Sequence, residues 1–372
     1  MALDSSADGT AGRPGPVEPE APGAEGSAYV RRPLPARWVA AALAVALLLG
    51  LTAAVSRGSS HVAVTEVWSA VGHRLTGGTA RPGTRDLIVW QLRVPRALLA
   101  AVVGAGLGIV GTAVQALVRN PLADPYLLGI SNGGSLGAVA AIVLGASTGG
   151  LFGLGISGAA FAGALLSFGL VWTIARRGGG FSPLRLVLAG VAIGQFLSGF
   201  TSYLVLRAGD EQQTRGVLFW LMGSLGGAQW SSLALPTAAV VLGLAVFQGR
   251  ARALNALLMG DETAAGLGVP VVRLRRQMFV VTSVLTGVLV SVSGAVGFVG
   301  LLVPHLCRLV VGGDHRRLLP VSALTGAVLL VVVDTLCRTV LPDQELPIGV
   351  VTALLGAPAL LFLLDRRPEH GR

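Results

Sequence analysis

The sequence predicts an all-α, polytopic membrane protein with about ten membrane-spanning helices, since apolar runs near the ~20 residues that a span requires recur along the chain. Of its 372 residues, 53% are hydrophobic and 12% are charged, and the mean hydropathy is +0.73. Soluble domains carry about twice that share of charge. Many of the 53 glycines lie inside the apolar runs, as in "GAGLGIVG" at 104–111. Small residues four apart let helices pack closely in lipid.

The N-terminal segment differs from the rest in composition. Residues 1 to about 35 are rich in Pro, Gly, Ala, Ser and Glu and contain little that could form a core, so a disordered tail is predicted. The segment lacks the charged and apolar regions of a cleavable signal peptide. The membrane domain is predicted over 36–366 and a short cytoplasmic tail over 367–372.

Ten apolar segments follow the tail. They cover 38–55, 97–118, 126–147, 151–175, 184–206, 233–249, 278–303, 304–312, 318–341 and 346–364. The segment at 304–312 opens with Pro304 and is too short to span, so a partial helix shielded by its neighbours is expected. The aromatic-rich stretch 217–230 is expected to form a helix lying at a membrane interface.

The arginine distribution predicts the orientation. With ten spans and the N-terminus inside, and leaving out Arg13 in the tail, eighteen arginines fall on the inner side and nine on the outer, six of these nine in one long loop. Positive charge favours the cytoplasmic side, which predicts cytoplasmic N- and C-termini.

Composition also excludes several activities. All 28 basic residues are arginine, so the chain has no lysine for a Walker A loop or a Schiff base, and any ATP that drives it must be hydrolysed by another chain. The arginines lie in short segments between apolar runs, which argues against a nucleic-acid-binding face. Five scattered histidines and two cysteines in apolar context suggest neither a metal site nor an enzyme.

Two arginines in "LRVPRALL" stand at the mouth of a span. Arg93 and Arg96, with Arg338 near the end of a later span, are predicted on the outer side. Such side chains can extend to lipid headgroups. Three of them amid sparse charge also suggest a docking surface for an acidic partner.

Asp334 is the clearest acid within a span, and intramembrane carboxylates suggest function. Arg338 lies four residues further along the same helix, so an intrahelical ion pair is predicted. That pair competes with docking by Arg338. It also weakens the main alternative function, a secondary transporter driven by an ion gradient, which would need several unpaired acids or histidines. His305 is interpreted as a packed polar residue.

Two further stretches break the helical pattern. In "RNPLADPYLLGISNGGSLGA", residues 119–138, two Asx-Pro pairs interrupt the backbone at membrane depth, as in helices that line a cavity. In "LLMGDETAAGLGVPVVRLRR", residues 257–276, a short helix is predicted to begin at Gly260–Asp261. Acidic residues suit its positive end, and an ordered insert between spans is what a partner would hold.

In order and spacing, "RVPRALLAAVVGAGLGIVGTAVQALVRNPLADPYLLGISNGGSLGA", "MGDETAAGLGV", "GFVGLLVPHLCRLVVGGDHRRLLP" and "ELPIGVVTALLGAP" resemble the signature stretches of bacterial iron-siderophore, haem and cobalamin ABC importer permeases. The resemblance covers residues from about 38 to 365. It implies a type II ABC importer bundle of ten helices per subunit. Two such subunits, identical or paralogous, would enclose the pathway between them.

The resemblance also implies residue roles. Binding-protein docking falls on Arg93, Arg96 and Arg338. ATPase coupling, through short helices within about 252–272, falls on Gly260, Asp261, Glu262, Ala265, Gly266, Leu267 and Gly268. The translocation pathway falls on Gln115, Asn120, Pro121, Ser131, Asn132 and Gly133.

The expected function is that of the transmembrane permease subunit of an ATP-driven importer for an iron chelate. Ferric siderophore is the first candidate cargo, with haem and cobalamin as alternatives. The implied partners are a second permease subunit, two ATPase subunits that bind ATP and Mg²⁺, an extracytoplasmic substrate-binding protein and membrane lipid. No cofactor is expected in this chain.

Overall fold

The computed structural model describes residues 34–57, 63–75, 84–145, 155–176, 183–341 and 344–365, which are helices and connecting turns without a β-strand. The described residues all belong to one compact unit. The predicted tails at 1–35 and 367–372 lie outside these ranges, apart from Leu34 and Pro35.

Within the described residues, the first half of the bundle contains seven α-helices, one π-helical turn and one 3₁₀ helix. Its elements are α1 (Ala36–Ser56), α2 (Val64–Leu75), α3 (Thr84–Leu87), a π-helical turn (Ile88–Arg93), α4 (Val94–Val118), a 3₁₀ helix (Pro125–Leu128), α5 (Ile130–Val143), α6 (Gly155–Arg176) and α7 (Pro183–Leu206).

The second half contains short helices between long ones. Its elements are α8 (Glu211–Leu221), a 3₁₀ helix (Trp230–Ser232), α9 (Ala234–Gly249), α10 (Ala251–Leu258), α11 (Asp261–Gly266), α12 (Val271–Ser293), α13 (Val299–Val311), α14 (His315–Thr339) and α15 (Ile348–Asp365).

Seven of the helical segments within the described ranges are long and apolar enough to cross a membrane, and α5, α13 and α15 are shorter apolar helices. Together they correspond to the ten predicted apolar segments. The prediction of a multi-pass, all-α membrane protein is confirmed.

Helix α4 is the centre of the bundle. In the 18-residue apolar stretch of the span that contains α4, 78% is buried inside the protein, whereas for α1 the share is 17%. Glycines allow the close approach: a Cβ atom at Gly104 would collide with the carbonyl of Gly326 on α14, and one at Gly111 would collide with the carbonyl of Gly300 on α13. The glycines predicted to pack helices therefore hold α13 and α14 against α4.

The segments predicted at 278–303 and 304–312 divide elsewhere. Helix α12 ends at Ser293, and α13 already begins at Val299. The break occupies residues 294–298, where Gly294 and Phe298 adopt positive φ angles of 64° and 65°. Pro304 therefore lies inside α13 and does not open it.

A proline inside a helix leaves the carbonyl four residues earlier without its N–H donor. For Pro304 that carbonyl belongs to Gly300. Gln115 Nε2 of α4 supplies the replacement, donating to Gly300 O at 3.4 Å and to Leu301 O at 3.2 Å. This contact across the bundle explains why the helix tolerates the proline.

The segment predicted at 126–147 is also interrupted, at Gly129, whose φ angle is 71°. The freed groups find partners on other helices: Ser167 Oγ donates to Gly129 O at 2.8 Å. Val296 N donates to Tyr126 Oη at 2.6 Å, which joins this break to the one after α12. The expected break at the two Asx-Pro pairs is also present, because α4 ends at Val118 and the 3₁₀ helix begins only at Pro125.

The helix predicted at 217–230 is displaced. Helix α8 spans Glu211–Leu221 and starts where Asp210 accepts a hydrogen bond from Gln213 N. The chain then turns at Gly223, whose φ angle is 78°. Ile348 N donates to Gly223 O at 3.0 Å, so the turn is used to hold the start of α15.

Candidate functional site

Five charged side chains gather at one end of α4, and we call them the Arg96 cluster. Arg93 ends the π-helical turn and Arg96 lies in the first turn of α4. Asp334 and Arg338 lie near the end of α14, and Glu345 lies just before α15. Three guanidinium groups and two carboxylates leave one net positive charge.

Arg96 joins the two carboxylates. Its Nε lies 2.9 Å from Asp334 Oδ1, and its Nη1 lies 3.0 and 2.9 Å from Glu345 Oε1 and Oε2. The other Asp334 oxygen, Oδ2, lies 3.1 Å from Arg338 Nε, so the predicted Asp334–Arg338 pair is present. Asp334 is 1% exposed and Glu345 is 47% exposed. One carboxylate is thus enclosed and the other faces the surface.

The last carbonyls of α1 complete the cluster. Arg338 Nη2 donates to Ala54 O at 3.1 Å, and Arg93 Nη1 donates to Val55 O at 3.0 Å and to Ser56 O at 3.3 Å. A helix leaves its last carbonyls without intrahelical donors and carries partial negative charge there. The arginines therefore cap α1 and tie it to α14 and α4.

These contacts bear on the arginines predicted to dock an acidic partner. Arg93 and Arg96 are 6% and 9% exposed. Arg338 was predicted to pair with Asp334, and it does, but Arg96 is also paired and binds two carboxylates. Glu345 is the accessible side chain of the cluster. It binds Nη1 of Arg96, which we call the accessible branch of the guanidinium.

A second set of charges lies at the opposite end of α4, and we call it the Asp261 cluster. Asp261 Oδ2 and Oδ1 accept from Arg275 Nη1 and Nη2 at 2.7 and 2.8 Å, a two-bonded pair. Arg119, which ends α4 in a left-handed conformation, lies 3.4 Å from Asp261 Oδ1. Asp261 thus links the start of α11 to α12 and α4.

The predicted short helix is present as α11, preceded by Gly260 with a φ angle of 107°. Helix α10 comes before it, so the insert between α9 and α12 contains two helices. The buried side chains of Leu254 and Leu257 anchor α10 in the core. Its outer surface exposes Glu262, Ala265, Gly266, Leu267 and Gly268 together with Leu258 and Met259. Exposed apolar residues between polar ones suit a protein partner.

Asn255 fixes α10 to the start of α14. Its Nδ2 donates to Asp314 Oδ1 at 2.7 Å, and its Oδ1 accepts from His315 N at 2.9 Å. Burial acts to raise the pKa of Asp314, but the hydrogen bonds from Asn255 and Arg316 N and the nearby arginine charges outweigh it, so the pKa lies below its usual range. Asp314 is therefore ionised and caps α14.

The residues expected along the pathway separate into two groups. Gln115, Ser131 and Gly133 are buried within this subunit, and a Cβ atom at Gly133 would collide with the carbonyl of Gly163 on α6. These three residues therefore take part in helix packing within the subunit, and their role in a pathway stays a prediction. Asn120 and Pro121 are exposed at the end of α4, and Asn132 Nδ2 donates to Gly194 O at 2.9 Å.

Sequence reasoning missed Glu345 and Arg275 as members of these clusters, and it missed Asn255 as the link between α10 and α14. Arg96 and Asp334 are 238 positions apart, so no local spacing predicts their contact. The signal for Glu345 is weak: it is an acid directly before the last apolar run. Arg275 was noted only as one of several arginines in a basic loop.

The fold is that of a multi-pass helical membrane protein with packed charge clusters at both ends of its central helix. The sequence matches the FecCD transport family over residues 43–366, so the chain is a member of that family. Permeases of this family work in ABC importers in which a separate subunit hydrolyses ATP.

Relatives and a solved structure agree. The chain is 47% identical over 286 residues to the cobalamin import system permease protein BtuC of Halobacterium salinarum, covering 77% of this chain and 75% of that protein. It is 45% identical over 290 residues to the hemin transport system permease protein HmuU of Yersinia pestis, covering 76% and 84%. An inward-facing metal-chelate type ABC transporter superposes with a TM-score of 0.77 at 28% identity, covering 89% of this chain and all of that one.

Proposed function

We propose that this chain is the permease subunit of an importer that takes a metal chelate from an extracytoplasmic binding protein and releases it into the cytoplasm. Two permease subunits would pair, and two ATPase subunits would bind ATP and Mg²⁺. The observation that carries the proposal is the pair of clusters at opposite ends of α4, one suited to an acidic partner and one joined to an exposed helical insert.

The Arg96 cluster is proposed to receive an acidic side chain of the binding protein. Its net charge is positive, and Glu345 is the one half-exposed carboxylate on Arg96. An incoming carboxylate would take the place of Glu345 on Nη1 while Asp334 keeps Nε in position. Arg96 would then act in docking without leaving its buried position, and Arg93 and Arg338 would add positive potential.

Charge reversal at Arg93 or Arg96 is a poor test of docking. A carboxylate at position 96 would lie beside the buried Asp334, and one at position 93 would face the carbonyls of α1. Glu345 offers a cleaner test, since its replacement by Gln alters the accessible branch alone.

The insert formed by α10 and α11 is proposed to contact the ATPase. Leu258, Met259 and Leu267 are 47%, 69% and 66% exposed, and they form the apolar part of that surface. The Asp261–Arg275 pair makes the insert move with α12, so a force applied there would reach the spans. Coupling of this kind requires two conformations of the permease, one open to each side of the membrane. The proposal puts the Asp261 cluster and both termini in the cytoplasm.

The cargo is the finer part of the proposal. Ferric siderophore is the candidate from the family resemblance, and the names of the relatives add cobalamin and haem. All three are bulky chelates that a binding protein can select, so the permease needs little chemistry of its own.

Uptake measurements test the proposal. Cells with and without the gene are given a ⁵⁵Fe-siderophore, ⁵⁵Fe-haem or ⁵⁷Co-cobalamin at equal concentration, and accumulation is counted. We expect one chelate to lose most of its uptake without the gene and to regain it on complementation. Equal uptake of all three in both strains would contradict the proposed function.

The alternative of an ion-gradient-driven transporter finds little support. Within the described spans the only acid is Asp334, and it is bound by both Arg96 and Arg338. A carboxylate between two guanidinium groups is poorly suited to take up and release a proton or a sodium ion.

A further inference from the structure

We infer that a groove at the same end of the bundle as the Asp261 cluster binds an anionic phospholipid. The groove has a volume of about 520 Å³. Helix α12 packs against both α6 and α9, so it forms the floor between them. The lining residues are Trp172, Val246, Arg250, Arg276, Gln277, Val280 and Val281.

Two arginines line the end of the groove, and a third lies at the end of a neighbouring helix. Arg250 directly follows α9, Arg276 lies in the second turn of α12, and Arg176 ends α6, and all three are exposed. Among the described residues, neither Arg250 nor Arg276 has a carboxylate within ion-pair distance. Because α6 and α9 end here and α12 begins here, these charges lie together at one membrane surface.

The walls below the arginines are apolar. Val246 lies one turn before Arg250, and Val280 lies one turn after Arg276, so each is about 6 Å deeper in the bilayer. These valines are 41% and 36% exposed. The groove is therefore positive at the membrane surface and apolar beneath it.

Trp172 forms part of the groove wall and is held in place by its contacts. Its ring stacks parallel to Phe279 of α12 at 5.9 Å, and the guanidinium of Arg176 lies 5.4 Å from its centroid. A cation held against an aromatic face keeps its N–H groups available at the edge. Arg176 is thus held against Trp172, a residue that lines the groove.

This charge pattern fits one class of occupant. A phospholipid places its phosphate at the headgroup level and its acyl chains along the apolar wall, and basic pockets between membrane helices bind anionic headgroups. Guanidinium groups form paired hydrogen bonds with phosphate oxygens. An acidic protein segment would match the arginines, but it would leave the apolar depth of the groove unfilled. A bound lipid would also bridge α6 and α9.

The purified full chain in phosphatidylcholine–detergent micelles is titrated with phosphatidylglycerol, and bound lipid is counted by native mass spectrometry. We expect retention of phosphatidylglycerol at concentrations where phosphatidylcholine is lost, and a rise in the thermal unfolding midpoint on binding. The double variant R250Q/R276Q should weaken phosphatidylglycerol binding about 5-fold per arginine, about 25-fold in all.

Two variants separate the groove from general surface charge. R252Q/R273Q removes two exposed arginines at the same end that do not line the groove, and it should change binding less than about 2-fold. V280W fills the groove and keeps every charge, so it should reduce lipid retention even if R250Q/R276Q fails to fold.

Four results would overturn the inference. Equal losses in R250Q/R276Q and R252Q/R273Q would mean that any surface arginine suffices. Full retention by V280W would exclude the groove. Equal binding of phosphatidylcholine would exclude a role for charge. Competition by free glycerophosphate at the same concentration as the lipid would identify a soluble anion as the ligand.

Discussion

The two charge clusters at the ends of α4 are built from the same groups but differ in burial. In the Arg96 cluster, Asp334 is 1% exposed and bridges two buried arginines. In the Asp261 cluster, the carboxylate is 42% exposed and Arg119 is 40% exposed. A buried ion pair is costly to break, whereas a solvated one is screened and contributes little.

This difference suggests different uses. The Arg96 cluster holds α1, α4 and α14 in one arrangement and offers a single replaceable ligand, Glu345. The Asp261 cluster fastens a surface insert to α12 through one strong pair and leaves the rest of that insert exposed. We expect substitutions to reduce stability most in the first cluster and to affect coupling more than stability in the second.

The largest effect is expected for Asp334→Asn. The change leaves the buried Arg96 and Arg338 without their shared charge, and removing one partner of a buried pair costs about 3–5 kcal/mol. Thermal unfolding of the detergent-purified protein measures it. Glu211→Gln, which breaks the exposed Glu211–Arg215 pair, is the control and should cost less than about 1 kcal/mol. Equal stability of the two variants would contradict the assigned burial.

Asp261→Asn should follow. Arg275 is 5% exposed and loses a two-bonded carboxylate, but solvent reaches Asp261, so a loss of about 1–2 kcal/mol is expected. Chelate uptake should fall by more than the amount of folded protein in the membrane. Glu262→Gln changes the neighbouring exposed acid and should keep wild-type stability. A fall in uptake that only matches lost protein would argue against coupling through this pair.

Glu345→Gln should have little effect on stability, within about 1 kcal/mol, because the side chain is half-exposed. The variant frees the accessible branch of Arg96, so affinity for the cognate binding protein should rise about 3–10-fold. Binding to the permease in nanodiscs measures this, with Glu211→Gln as the matched control. An unchanged or weaker affinity would exclude replacement of Glu345 by the partner.

The smallest effect concerns Asp314. Its pKa is lowered in the folded protein, so its charge adds stability above the unfolded value of about 4, and this contribution is lost as pH falls through the folded pKa. Asparagine caps helices about as well as aspartate. Wild type should exceed Asp314→Asn in the free energy of unfolding by up to about 1 kcal/mol at pH 7, and the gap should narrow as the pH falls below about 4. A gap independent of pH would show that charge is not the cause.

Local patterns predicted much of this structure. Apolar runs predicted the multi-pass fold, and the four-residue spacing of Asp334 and Arg338 predicted their ion pair. The break between α12 and α13 was missed because "SGAVGFVGLLVPH" is apolar throughout, and its cause is backbone conformation at Gly294 and Phe298. The Arg96–Asp334 and Arg96–Glu345 contacts join distant segments, so only the packed bundle shows that Arg96 is already occupied.

Reconstitution tests the central claim most directly. The purified chain is placed in vesicles alone, or with its ATPase and binding protein, and entry of the labelled chelate is followed with and without ATP. We expect transport only in the complete assembly and only with ATP, with no accumulation by the chain alone under a proton or sodium gradient. Accumulation by the chain alone would contradict the account.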